Sequence, residues 1–239
     1  MVAIINKYRF KKLFTMPLHK IIKKVIKKVY ESLKNKIKRF IDLKTDTHLT
    51  TIKYIDYSYI DINVMDFSNI DRIASLYLCD MHLAHTFELL GSGYVNVNYD
   101  MNCQGVEGYK YDGSLHLNEF DINGRWLENI LIKHHLNTGK EIWKHIDRGY
   151  SPIDWQMDFK SGFRYTQKKW YLDQHIGIER GVDIKVPWEL SRLQHLSQLA
   201  VFALLFPNKR EKIIREFRNQ MLDFILANPP RMGDRKSVV

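Results

Sequence analysis

The sequence predicts a mainly α-helical protein with an irregular, loop-rich N-terminal half. Three observations carry this expectation. A lysine-filled helical rhythm runs through 21–41, two further helical periods abut across Pro207, and the span 91–124 between them is crowded with Gly, Asn and Asp and has no sustained period.

Each element follows in order. Ile21, Ile22, Val25, Ile26, Val29, Leu33, Ile37 and Ile41 recur at three- and four-residue steps with lysines between them, the pattern of a basic amphipathic helix. Residues 1–41 therefore form a basic arm. Residues 42–81, rich in Asp, Tyr and Ile, read as a linker that leads into a short helix over 71–81. Spacing around Trp126, Ile130 and Leu131, and around Ile142, Trp143 and Ile146, predicts short helices. Pro187 sits where a first-turn proline belongs, and Leu193, Leu196, Ala200 and Ala203 mark one helical face as far as Phe206. A second face follows at Ile213, Phe217, Met221 and Phe224, and Asn228-Pro229-Pro230 stops it. The connection is so short that the two helices of 188–227 must form an antiparallel αα-hairpin.

Charge and cysteine content narrow the function classes. The 239 residues carry a net +10, of which 1–40 supply +12 from thirteen Lys/Arg against Glu31, so the other 199 residues carry −2. The basic character belongs to the arm. Three readings of the arm stand open: a helix packing one face on the body, a helix lying on an anionic membrane surface, and a nucleic-acid contact, which no base-reading motif accompanies. No nucleic-acid partner is expected. Lysines interrupt every candidate signal-peptide core and no apolar run reaches the roughly 20 residues of a membrane span, so a cytoplasmic or membrane-peripheral location is expected over secretion. Cys79 and Cys103 lack disulfide or metal spacing and read as ordinary thiols. Gly91-Ser92-Gly93 has no following Lys and reads as a tight turn, and His134 and His135 point to different helix faces, so neither a metal nor another cofactor is expected.

Four strings carry a family resemblance. HTFELLGSG at 85–93, DWQMDFKSGFRY at 154–165, DIKVPWELSRLQHL at 183–196 and NPPRMG at 228–233 stand in this order across 82–233. They resemble blocks of the heparinase II/III-like N-terminal family, also found in alginate-lyase-like polysaccharide lyases. The resemblance implies an (α/α) toroid of helical hairpins, here incomplete, that grips an acidic polysaccharide in a cleft and is followed by a β-rich domain. The implied reaction is β-elimination at a uronic acid. A donor neutralises the carboxylate so that C5 gives up its proton to a base, and an acid protonates the departing oxygen. The family's asparagine, tyrosine and histidine for these roles have no matching segment in 82–233, so no catalytic residue is assigned.

Substrate-binding candidates come from two of the strings. On one continuous helix Glu189, Arg192 and His195 would share a face beside Trp188, where a guanidinium can hold a carboxylate and an indole can stack on a sugar. The alternative is a Glu189–Arg192 pair at the helix start with Trp188 packed inside. Trp155 and Asp158, with Asp154, Lys160 and Arg164, offer aromatic and polar groups in one loop, either for sugar or as an ion-pair network that fixes the loop. The last six residues, DRKSVV at 234–239, depart from the family pattern and match the translation of a common sequencing adapter. The expectation is a reading frame that ran into adapter, leaving an N-terminal fragment without lyase activity. The competing expectation is a non-catalytic protein that binds acidic polysaccharide or a membrane surface.

Overall fold

The computed structural model describes residues 17–47, 64–117 and 119–233. The first part of the arm, most of the linker and the DRKSVV tail lie outside the described residues. The chain divides into two compact units, Met1–Lys44 and Thr45–Val239, and its regular structure among the described residues is mainly helical, with two small two-stranded sheets.

The described residues of the first unit form the helix α1, Leu18–Lys44. Pro17 precedes it and accepts the Lys20 and Ile21 amides through its carbonyl, a residue that costs nothing where the first N–H groups have no intrahelical partner. Lys44 in the last turn suits the negative end of the helix dipole. The apolar rhythm of the sequence forms one stripe, in which Leu18, Ile22, Val25, Ile26, Val29, Leu33, Ile37 and Phe40 are all exposed.

In the second unit α2, Arg72–Leu83, starts on Asp71, whose carboxylate accepts the Ile73 and Ala74 amides at 2.9 and 3.0 Å. It leads into an antiparallel hairpin of β1, Thr86–Phe87, and β2, Val95–Asn96, with Thr86 opposite Asn96. Gly91 and Gly93 take positive φ at its tip, and Ser92 Oγ accepts the Leu89 amide at 3.0 Å. The Gly-Ser-Gly run is thus a tight turn. Two 3₁₀ turns, Arg125–Asn129 and Lys133–His135, feed α3, Leu136–Trp143. A second hairpin pairs β3, Met157–Asp158, with β4, Phe163–Arg164.

Then come α4, Lys185–Leu190, α5, Gln194–Leu205, and α6, Arg210–Ala227. α5 and α6 pack as the expected hairpin, with α2 against α5 and α3 against α6. Two arginines cap α5, Arg210 Nε donating to the Ala203 carbonyl at 2.9 Å and Arg72 Nη1 to that of Leu205 at 3.3 Å. NPPRMG closes the chain back on the body, where Met232 bridges Trp170 and the Gly233 amide donates to the Lys169 carbonyl at 2.9 Å.

Two details differ from the sequence reading. The helix expected from Pro187 to Phe206 is broken, because Leu193 adopts a left-handed φ of 57° between α4 and α5. Leu193 packs against both apolar clusters of the unit, one around Trp126, Trp155 and Phe224 and one around Leu199, Phe202 and Ile213. The buried faces also turn away from two expected positions, since Ala200 and Met221 are exposed while Leu199, Phe202, Asn219, Gln220 and Asp223 are buried. The second face includes three polar residues, which an apolar count cannot register.

Candidate functional site

The 154–165 string builds a hairpin whose polar groups mostly point inward. Asp154 is fully buried and Arg164 Nε meets its Oδ2 at 2.7 Å, while the same guanidinium donates to the Tyr165 carbonyl and to Gln167 Oε1 and lies over the Tyr99 ring. Asp158 is equally buried. Its oxygens accept Ser161 Oγ at 2.5 Å, the Asp183 amide at 2.9 Å and the Lys160 amide at 3.2 Å. Those bonds fix the turn at Gly162, where a Cβ would sit 2.2 Å from the Tyr111 carbonyl oxygen.

Trp155 and His195 stack with ring centroids 6.2 Å apart and an interplanar angle of 23°. The Trp155 indole N–H donates to Asp223 Oδ2 at 3.0 Å, joined by the Ile153 amide at 2.9 Å and the Tyr150 hydroxyl at 3.1 Å. Burial nonetheless outweighs these three donors and pushes the Asp223 carboxyl up to about 7. Burial pushes His195 down to about 3, with the neighbouring His82 adding to the effect. His82 Nε2 meets Gln198 Oε1 at 2.6 Å and His85 Nε2 meets Glu216 Oε1 at 2.6 Å, while Gln220 donates to both the His82 carbonyl and Glu216. His82 Nδ1, His195 Nε2, Gln220 Oε1 and Asp223 Oδ1 have no hydrogen-bond partner among the described residues.

The sequence candidates therefore fall into two sets. Trp155, Asp158 and His195 are enclosed, at 0%, 0% and 6% exposure, and touch no solvent-borne polymer in this arrangement. Trp188 is half-buried, and Glu189 pairs with the exposed Arg192 at 3.2 Å. The break at Leu193 separates this pair from His195, so the single polar face expected over 189–195 does not form.

An open concave surface lies elsewhere. Along 97–104 burial alternates, with Val97, Tyr99, Met101 and Cys103 buried and Asn98, Asp100, Asn102 and Gln104 more open to solvent. Against them lies a groove of about 610 Å³, into which Tyr94, Asn96, Asn102, Gln104, Phe159 and Lys160 face. A second depression of about 320 Å³ shares Met101, Asn102 and Cys103 with it and adds Lys110, Tyr111 and His116. His116 Nδ1 meets Asp100 Oδ1 at 2.8 Å, and that hydrogen bond, with Asp112 nearby, raises the imidazole above its ordinary value. Carboxamides supply donors and acceptors together, so this wall suits a hydroxyl-rich ligand, and Lys110 and Lys160 add positive charge. The alternation in VNYDMNCQ was the signal for it, masked by the surrounding Gly, Asn and Asp. Among the described residues no three His, Cys, Asp or Glu side chains converge as a metal-ligand set. Compared with protein-family models, curated proteins and solved structures, the chain matches none of them.

Proposed function

We propose that the chain is the N-terminal portion of a heparinase II/III-like polysaccharide lyase, a part of its (α/α) toroid, and that the amide-lined groove holds a uronic-acid-containing polysaccharide for β-elimination. One observation supports this most. Three of the strings that carry the resemblance, 85–93, 183–196 and 228–233, all meet the fourth at 154–165. Lys160 Nζ donates to the Leu90 carbonyl at 2.7 Å, the Asp183 amide to Asp158 at 2.9 Å, and Gln156 Nε2 to Asn228 Oδ1 at 2.9 Å, while Trp155 stacks on His195. Two of the strings then line the groove, through Gly91 and Ser92 from one side and Phe159 and Lys160 from the other.

In this reading Lys110 and Lys160 face the uronate carboxylates and the carboxamides face hydroxyls. Each exposed charge contact contributes up to about 1 kcal/mol, so affinity accumulates over several sugars. The resemblance assigns no described residue to take the proton from C5 or to give one to the leaving oxygen, and the chain alone is expected to bind without cleaving. A purified sample should retain a polyuronate such as alginate in affinity electrophoresis. Asn102→Ala with Gln104→Ala should weaken retention at least about fivefold at unchanged melting temperature, with no rise in the ultraviolet absorbance of unsaturated products. Equal retention of a neutral glucan, or none of the polyuronate, would sink the sugar assignment. The exposed stripe of α1 favours a second reading, a non-catalytic protein at a membrane surface that binds acidic polysaccharide.

A further inference from the structure

We infer that α1 is an in-plane membrane anchor that seats its apolar stripe in the interface of an anionic bilayer. This inference stands on α1 alone and does not depend on the lyase reading. Eight large apolar side chains, Leu18 to Phe40, occupy one side of a 27-residue helix, and each of them is about half exposed or more, from 49% at Ile22 to 72% at Leu18. At a rise of about 1.5 Å per residue the helix is about 40 Å long and the stripe about 33 Å. The other side carries the charge: Leu18–Lys44 holds ten Lys/Arg against Glu31 and Asp42, a net +8.

Length, charge and the missing alternative fix the occupant. No helix among the described residues is long and apolar enough to cross a membrane, so the helix lies along the surface. A nucleic acid would neutralise the lysines but leave the apolar stripe in water. A second copy of α1 would cover the stripe but bring eight further positive charges alongside the first eight. An anionic lipid surface satisfies both faces at once, acyl chains receiving the stripe and headgroups the lysines.

The experiment is co-sedimentation of the full chain with vesicles of phosphatidylcholine containing 30% phosphatidylglycerol, against pure phosphatidylcholine and against a single-stranded oligonucleotide. Binding should require the anionic lipid and fall steeply between low and physiological salt, as screening shortens to about 8 Å. Val25→Gln with Val29→Gln and Leu33→Gln removes stripe but no charge, and Lys23→Gln with Lys27→Gln and Lys34→Gln removes charge but no stripe. Each triple variant should lower vesicle partitioning at least about tenfold. Both alter exposed positions, and the circular dichroism of the rest of the chain reports whether folding survives. Vesicle binding untouched by the stripe variant, oligonucleotide binding that outcompetes vesicles, or a dimer in light scattering abolished by the stripe variant would each overturn the anchor.

Discussion

Asp223 and His195 form opposite halves of one buried titration problem. The Asp223 carboxyl lies near 7 when folded against about 3.8 unfolded, so between those values the folded state holds a proton that the unfolded chain releases. Stability from this group is complete below pH 4 and is lost as pH rises through 7. His195 lies near 3 when folded against 6.5 unfolded, so its contribution is complete above 6.5 and is lost as pH falls toward 3. The two slopes cancel between about pH 4 and 6.5. Asp223→Asn keeps an oxygen for the three donors and removes the charge. It should be more stable than the parent at pH 8 by about 2–4 kcal/mol and equal to it at pH 4, so that the variant alone loses stability on acidification. Urea denaturation across that range measures it, and parallel profiles for the two proteins would show that Asp223 is ionised when folded. None of this was legible in the sequence, where Asp223 is one more polar residue on a helix whose apolar positions point to Phe217 and Met221.

At the scale of elements the helix break is the informative departure. A leucine in left-handed conformation costs about 1–2 kcal/mol, which explains why periodicity alone predicted one helix through 193. The break persists because the Leu193 side chain is held by both apolar clusters, and burying such a side chain contributes about 1.5–3 kcal/mol. Leu193→Gly relieves the strain, forfeits the packing and frees the unfolded backbone. It should therefore lower stability by about 1–2 kcal/mol, read as a lower denaturant midpoint at unchanged slope. A rise in midpoint would mean that backbone strain outweighs the bridging contacts. The hairpin of α5 and α6, the Asp71-started α2 and the Gly-Ser-Gly turn were by contrast readable. Local chemistry decides each of them: a short loop, an N-cap, a pair of glycines.

For the whole molecule the question is what holds segments far apart in sequence to one hairpin. Gln156 and Asn228 meet at 2.9 Å in the interior, where Gln156 also lies against Gly233. Removing either amide leaves a buried partner unsatisfied, so Gln156→Ala and Asn228→Ala should each cost about 1–3 kcal/mol, and the double variant should cost less than their sum by about 1 kcal/mol. Strict additivity in a double-mutant cycle would show that NPPRMG is held by its backbone bridge alone. The sequence by itself determined the basic amphipathic helix, the mainly helical class and the paired helices before Asn228, because period, capping and turn chemistry act within a few residues. Only the tertiary structure decided that Trp155, Asp158 and His195 are enclosed and that Asn102, Gln104 and Lys160 face a groove. Burial is a property of what packs over a residue, and those neighbours stand as far apart in the chain as Phe87 and His195.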